Sequence, residues 1–327
     1  MKAVVCARYG PPEVLQLQQV ADPTPRAGEL LVQVKATTVT SADARVRALR
    51  MPSPVFVPLA RLALGMRGPR KRVLGTELAG VVKAVGPGVT SFRVGDAVVA
   101  IVGVRFGAHA QLARVPERSA VVPKPARLSF DEAVSLPFGA MTALYYLRDL
   151  ANLQPGQRVL VVGASGAVGV AAVQLATHFE AQVVGVCSTA NLDRVRSLGA
   201  AHVIDYTRED FTKGPAEFDV VFDTVGATSF ASCKGLLKPN GQFLAAVLTL
   251  TEICQLLSTR LVGGKRVKGG TAPEKKADLE LLMSLAQAGH LSPVIDRCYP
   301  LHEIVAAHRH VDSGRKVGSV VVMMDDA

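Results

Sequence analysis

The stretch Val159-Leu160-Val161-Val162-Gly163-Ala164-Ser165-Gly166-Ala167-Val168-Gly169 decides the fold. An apolar run breaks into three glycines and resumes as the apolar, alanine-rich segment 170–176. That order predicts a strand, a tight turn and a helix. A buried parallel strand is apolar on both faces, glycines let the main chain approach a pyrophosphate, and the free N–H groups that open a helix favour an anion. The combination points to a dinucleotide. The glycines are spaced three and three, whereas the common fingerprint is spaced two and three, so the loop alone leaves open a tight turn that binds nothing. Two other motifs are excluded. A nucleotide P-loop ends in Gly-Lys-Ser/Thr and this loop has no lysine; a hydrolase elbow reads GxSxG, and here Gly166 follows Ser165 directly.

Working outward, residues 128–268 alternate between helix-like and strand-like segments. Helices are expected over 131–150, up to 179, and over 192–198 and 229–237. Strands are expected over 159–162, 182–187, 202–204, 219–223, 242–247 and 266–268. Such alternation predicts an α/β fold, a doubly wound parallel sheet of the Rossmann kind. Residues 1–125 instead hold short valine-rich segments punctuated by Gly10-Pro11-Pro12, Arg26-Ala27-Gly28 and Gly86-Pro87-Gly88, the pattern of a β-rich domain. After a helix over 273–288 come short segments over 294–298, 301–311 and 318–323. They are too few to bury a core alone, so they are expected to fold back onto the first domain. The expected domains are therefore 1–125 with 292–327, β-rich, and 126–291, dinucleotide-binding.

A chain of 327 residues with 49% hydrophobic content supplies two such cores. No basic head followed by a long apolar core opens it, and the longest apolar run belongs to the glycine stretch, so neither a leader nor stable membrane insertion is expected. Cys6, Cys187, Cys233, Cys254 and Cys298 are scattered with no CxxC pair, which suits a reducing, cytoplasmic compartment. The net charge of +10 is uneven: residues 1–125 hold 18 Lys and Arg against 7 Asp and Glu. The excess centres on Arg61, Arg67, Arg70, Lys71 and Arg72, interleaved with Phe56, Leu59, Leu62, Leu64 and Met66. This reads either as a solvated loop with its apolar underside packed on its own domain, or as a contact for a membrane surface, an anionic partner or nucleic acid.

These segments together resemble the medium-chain dehydrogenase/reductase superfamily, in its zinc-independent quinone oxidoreductase, ζ-crystallin-like branch. The resemblance runs essentially end to end. It rests on Met1-Lys2-Ala3, Gly10 to Leu15, Gly75-Thr76-Glu77-Leu78-Ala79-Gly80, Val85-Gly86 to Gly95-Asp96-Ala97-Val98, Pro155-Gly156-Gln157, the Gly163–Gly169 loop and Leu198-Gly199-Ala200. The branch uses a loop like this one, which accounts for the glycine spacing; Ala167 and Thr177 are its mild departures. The resemblance implies a GroES-like β-rich catalytic domain beside the Rossmann domain, and a homodimer joined through the Rossmann sheet edge. In zinc-dependent relatives a cysteine and a Gly-His-Glu histidine hold the catalytic ion. The matching positions here are Thr40 and Thr76, neither a good zinc ligand, and no metal is expected. His308 and His310 fall on different helix faces and read as surface residues.

An NAD site places an acid about 20 residues beyond the glycines. Here that place reads Cys187-Ser188-Thr189-Ala190-Asn191, with no carboxylate to repel a 2′-phosphate, which favours NADPH. Gly163, Ala164, Ser165, Gly166, Ala167, Val168 and Gly169 are expected to cradle the pyrophosphate. Ser188, Thr189 and Asn191 offer hydrogen bonds to the 2′-phosphate, Arg194 offers charge, and the resemblance puts Tyr206 beside the adenosine phosphate.

The resemblance implies hydride transfer from the dihydronicotinamide to a small-molecule electron acceptor: a quinone, an α,β-unsaturated carbonyl or a related compound. Positioning and stabilisation of the developing oxyanion would supply most of the acceleration. Thr142 matches a threonine beside the nicotinamide. Thr40 stands where the family has an active-site asparagine, and Arg45 where some quinone reductases have a tyrosine. Asp43 and Glu77 also match recurring positions, as structural hydrogen bonders or proton carriers. A second class remains, an NADPH-binding regulatory or RNA-binding protein on the same fold. Only 5% of residues are aromatic and there is no RGG tract, which argues against nucleic acid.

Overall fold

The computed structural model describes residues 1–324. The chain forms two compact units. One comprises Met1–Phe138, Glu274–Gly289 and the chain from Pro293 onward; the other comprises Gly139–Pro273 with His290–Ser292. The helix Lys276–Ala288 is grouped with the first unit. Residues 325–327 of the expected 292–327 range lie outside the described residues.

In the second unit the strands Arg158–Val162, Gln182–Cys187, His202–Asp205, Phe218–Asp223, Leu237–Ala245 and Arg266–Lys268 form one parallel sheet. In chain order they lie 3-2-1-4-5-6, the doubly wound arrangement. Arg158–Val162 pairs with Gln182–Cys187 on one side and with Phe218–Asp223 on the other, so Val159 to Val162 are buried on both faces, as an apolar run requires. Helix Ala167–His178 follows, with every residue from Val168 to Ala176 buried. The expected helix over 131–150 is three pieces: Phe130–Val134, Pro137–Leu144 and a π-helical turn Tyr145–Leu150. Pro137 has no N–H to continue the first piece. The strand expected from 242 already starts at Leu237, with a register shift that absorbs Lys238 to Gly241.

In the first unit the 11-residue strand Glu29–Val39 is the hub of a mostly antiparallel sheet. It pairs along its length with Glu77–Val85, through its first half with Leu112–Pro116, and through its second half with Ser319–Met323. The late segment does return to the first unit, as the small size of the tail demanded. Leu30, Val32, Leu78, Val98, Ala100, Val115 and Val121 form one apolar core here. A second gathers Val4, Leu74, Val320 and Val322 under the helix Ile304–Asp312. No helix among the described residues is long and apolar enough to cross a membrane.

Candidate active site

The second unit carries the dinucleotide loop. Strand order reverses between Arg158–Val162 and Phe218–Asp223, and ligands bind beyond the carboxyl ends of strands at such a point. The loop leaves the first of these strands at Gly163, whose φ of +77° is left-handed. A β-carbon there would stand 2.8 Å from Val225, in the loop after the neighbouring strand. Gly166 is the N-cap of Ala167–His178, and no side chain caps the helix's opening N–H groups. Gly169 brings helix and strand together: a β-carbon on it would fall 2.1 Å from the Gly163 carbonyl oxygen and 2.7 Å from Ala164 Cα. The three glycines thus supply a left-handed turn, a bare helix start and a close contact, and they fit a pyrophosphate.

The loop after Phe218–Asp223 escaped sequence reasoning. Asp223 Oδ1 accepts the N–H groups of Val225, Gly226 and Ala227 at 3.1, 2.8 and 3.2 Å, and Oδ2 accepts that of Thr228 at 2.9 Å. Thr224 Oγ1 donates to the Val162 carbonyl at 2.8 Å, tying this loop to the glycine loop. An Asp closing a strand, followed by Thr-Val-Gly, was the available signal. Helix Pro137–Leu144 reaches the same place. A β-carbon on Gly139 would lie 2.1 Å from the Ala167 carbonyl oxygen, so glycine lets this helix press on the opening of Ala167–His178. Thr142 sits one turn further on, half-buried.

Ser188, Thr189 and Asn191 stand together beyond the second strand. Asn191 Nδ2 bridges Ser188 Oγ at 3.1 Å and Ser165 Oγ at 3.4 Å, joining this corner to the glycine loop. The absence of a carboxylate holds only along the chain. Thr189 Oγ1 donates to Asp205 Oδ2 at 2.5 Å, from the end of the adjoining strand His202–Asp205. Asp205 also accepts Thr207 N–H at 3.0 Å and Thr207 Oγ1 at 2.7 Å, and Arg208 lies 3.6 Å away. The hydrogen bonds from Thr189 and Thr207 hold its pKa below the usual value. Arg194 is exposed and forms no ion pair among the described residues, and Tyr206 is exposed beside Asp205.

In the first unit Thr40 and Asp43 form a reciprocal cap on helix Ser41–Ala48. Asp43 Oδ2 accepts Thr40 N–H at 2.9 Å and Thr40 Oγ1 at 2.6 Å, and Asp43 N–H returns to Thr40 Oγ1 at 3.1 Å. A hydroxyl has one hydrogen to donate. That hydrogen goes to Asp43, so Thr40 caps this helix. Arg45, on the same helix, is half-buried with no acidic partner among the described residues, and burial lowers its pKa.

Glu77 is buried at the start of Glu77–Val85. Its carboxyl accepts Thr38 Oγ1–H and, at 2.8 Å, the N–H of Phe138. Burial, reinforced by the nearby Asp43, pushes its pKa up to about 8, so it is a neutral acid at pH 7. Burial also brings Lys316 down to about 8. The surface reading of the two late histidines needs correction. His308 lies on the stripe Ile304, Ala307, His308, Val311 and is fully buried, its ring 5.9 Å from that of the buried His109. His310 is partly buried and bonds Asp296 at 2.6 Å.

Models of the alcohol dehydrogenase GroES-like domain and of a zinc-binding dehydrogenase match residues 26–126 and 198–322. A 2-methylene-furan-3-one reductase of Solanum lycopersicum is 31% identical over 334 residues, covering 98% of this chain and 79% of that one. The chain belongs to the medium-chain dehydrogenase/reductase superfamily. Membership implies a nicotinamide dinucleotide, NAD(P)H, as cofactor. A 2-haloacrylate reductase of a Burkholderia species is 29% identical, with 98% of each chain covered. The structure of the quinone oxidoreductase from Coxiella burnetii superposes with a TM-score of 0.86 at 27% identity, over 99% of both chains. The chain also matches polyketide synthases, of which it spans only a small part: 7% of a pikromycin synthase component of Streptomyces venezuelae, at 35% identity. No group of three or more His, Cys, Asp or Glu among the described residues is arranged to hold a metal.

Proposed function

We propose that the chain is a zinc-independent, NADPH-dependent reductase that delivers hydride to an electron-poor acceptor, a quinone or an α,β-unsaturated carbonyl compound. The observation that carries this reading is the glycine-built turn at the strand-order reversal, opening onto an uncapped helix beside Ser188 and Asn191. The bound dihydronicotinamide would supply the hydride. The chain's own part is to bind, orient and balance charge. Gly163 to Gly169 hold the pyrophosphate with main-chain N–H groups. Ser188, Thr189, Asn191, Arg194 and Tyr206 receive the adenosine end, and the charge of Asp205 is largely met by Thr189, Thr207 and Arg208. Thr142 orients the nicotinamide. Arg45, a cation without a carboxylate, steadies the oxyanion that develops on the acceptor. The reduced oxygen takes its proton from water, because Glu77 and Asp43 are occupied in the hydrogen bonds of the fold.

Two of the relatives are named for conjugated alkenes, a methylene-furanone and a haloacrylate, which supports the unsaturated carbonyl class. Domains of 1–125 with 292–327, and of 126–291, belong to the same reading. So does a homodimer at Arg266–Lys268, a sheet edge with no further strand beside it among the described residues. The test is oxidation of NADPH by quinones and enones, repeated with NADH and with a chelator. Turnover with NADPH, unaffected by the chelator, is expected. Loss of activity on chelation would overturn the zinc-free reading, and equal affinities for NADH and NADPH the choice of cofactor.

A further inference from the structure

Between Asp43 and Glu77 the chain carries eight Lys or Arg residues and no acid. Six of them, Arg50, Arg61, Arg67, Arg70, Lys71 and Arg72, are exposed and form no ion pair among the described residues. The same segment holds helix Val57–Leu64, none of whose residues is buried. Val55, Leu59, Leu62 and Met66 are 56%, 66%, 64% and 62% exposed. They recur at spacings of four, three and four, so on and around the helix they fall along one side. Phe56 and Leu64 are half-buried, whereas Val55, Leu59, Leu62 and Met66 face outward.

The segment is firmly mounted. Gly65 ends the helix at φ +134°, and a β-carbon there would lie 2.1 Å from the Gly68 carbonyl oxygen. Gly68 is pressed against Ala7, with 2.3 Å from a β-carbon to the Ala7 carbonyl oxygen. Tyr9 Oη donates to the Gly65 carbonyl at 2.8 Å, and Val73 bridges to Val5. The apolar row is therefore held off the core.

We propose that this face docks on an anionic phospholipid surface, with Leu59 and Leu62 entering the headgroup boundary and the arginines and lysine meeting lipid phosphates. A short helix with exposed aliphatic groups and a cationic rim suits the interface between water and acyl chains. Its cations are complementary to the negative charge of such a surface. Nucleic acid offers the phosphates but no apolar phase for four aliphatic side chains, and the segment exposes no aromatic ring for stacking. Docking is peripheral and does not depend on the reductase reading.

The test is flotation of the purified full chain with phosphatidylcholine vesicles that either contain or lack phosphatidylglycerol, at low and high salt. The protein should float with the anionic vesicles alone and be released by salt. Replacing Arg67, Arg70 and Lys71 with Gln should weaken partitioning roughly fivefold per cation, on the order of a hundredfold together. Leu59→Gln with Leu62→Gln should weaken it on the order of tenfold per leucine while leaving the thermal transition in place. No flotation with anionic vesicles at low salt overturns the proposal. Undiminished flotation of the leucine variant overturns the insertion of the apolar row, and retention on RNA without flotation assigns the face to nucleic acid.

Discussion

Replacing Glu77 with Gln should change how stability depends on pH, and in a direction opposite to the usual effect of removing a carboxylate. In the folded chain burial pushes this group up to about 8 from an ordinary value near 4.5. The folded state therefore keeps a proton that the unfolded state has released, and the stability tied to that proton is complete below about 4.5 and lost as the pH rises through 8. Each pH unit in that window is worth about 1.4 kcal/mol. Wild type should thus carry a cost of about 1 kcal/mol at pH 5 and about 4 kcal/mol at pH 8. Glutamine copies the neutral acid. Its oxygen accepts the Phe138 N–H as the carboxyl does, while the contact that Thr38 Oγ1 donates in the native chain must reverse, the amide group donating to Thr38 Oγ1. The two proteins should be close in stability at pH 5, with Glu77→Gln ahead by about 3 kcal/mol more at pH 8. Urea unfolding at several pH values, followed by far-ultraviolet circular dichroism, measures the difference. A gap that does not change with pH would refute the reasoning, since it would mean that Glu77 is ionised in the fold.

Gly169→Ala should destabilise the protein by about 1–3 kcal/mol in urea unfolding, because the added carbon lands on the Gly163 carbonyl; an unmoved midpoint would contradict the close contact. Asp205→Asn should raise affinity for NADPH relative to NADH about fivefold in fluorescence titrations, by removing a negative charge beside Thr189. An unchanged ratio would separate Asp205 from the adenosine end. His308 is held well below its usual pKa, first by burial and then by His109 and Arg47. Its ring should stay neutral in the folded protein while the unfolded chain protonates, and this should withdraw about 1.4 kcal/mol per unit as the pH falls below about 6.5. Ring nitrogen resonances showing His308 titrating near 6.5 would contradict this.

The parts of the fold legible in the sequence were those written in local apolar pattern. Val159 to Val162 are unbroken in the chain and buried on both faces in the sheet, and the glycines that follow mark the turn that the main chain makes. What the sequence hid depends on contacts between distant segments. Asp205 lies 16 positions beyond Thr189, yet the pairing of neighbouring strands brings the two side chains together. Thr40 was read from the resemblance alone, whereas threonine three residues before aspartate also makes a helix cap. His308 was misjudged because a polar name outweighed its place in the 304, 307, 308, 311 stripe. The strand expected over 242–247 runs instead over Leu237–Ala245, and the structure accommodates Pro239, Asn240 and Gly241 as an irregularity within it.

The strand Ser319–Met323 has a consequence for biosynthesis. It lies inside its sheet, between Ile295–Pro300 and Glu29–Val39, although its residues are made after the whole of the dinucleotide-binding unit. On the ribosome the nascent first unit must wait with the second half of one flank of Glu29–Val39 unpaired, while the six parallel strands of the second unit are already complete. Open strand flanks invite association with other chains. The order of synthesis therefore leaves the Ala36–Val39 flank of the first unit open until the last strand is made, the longest-exposed strand flank of that sheet.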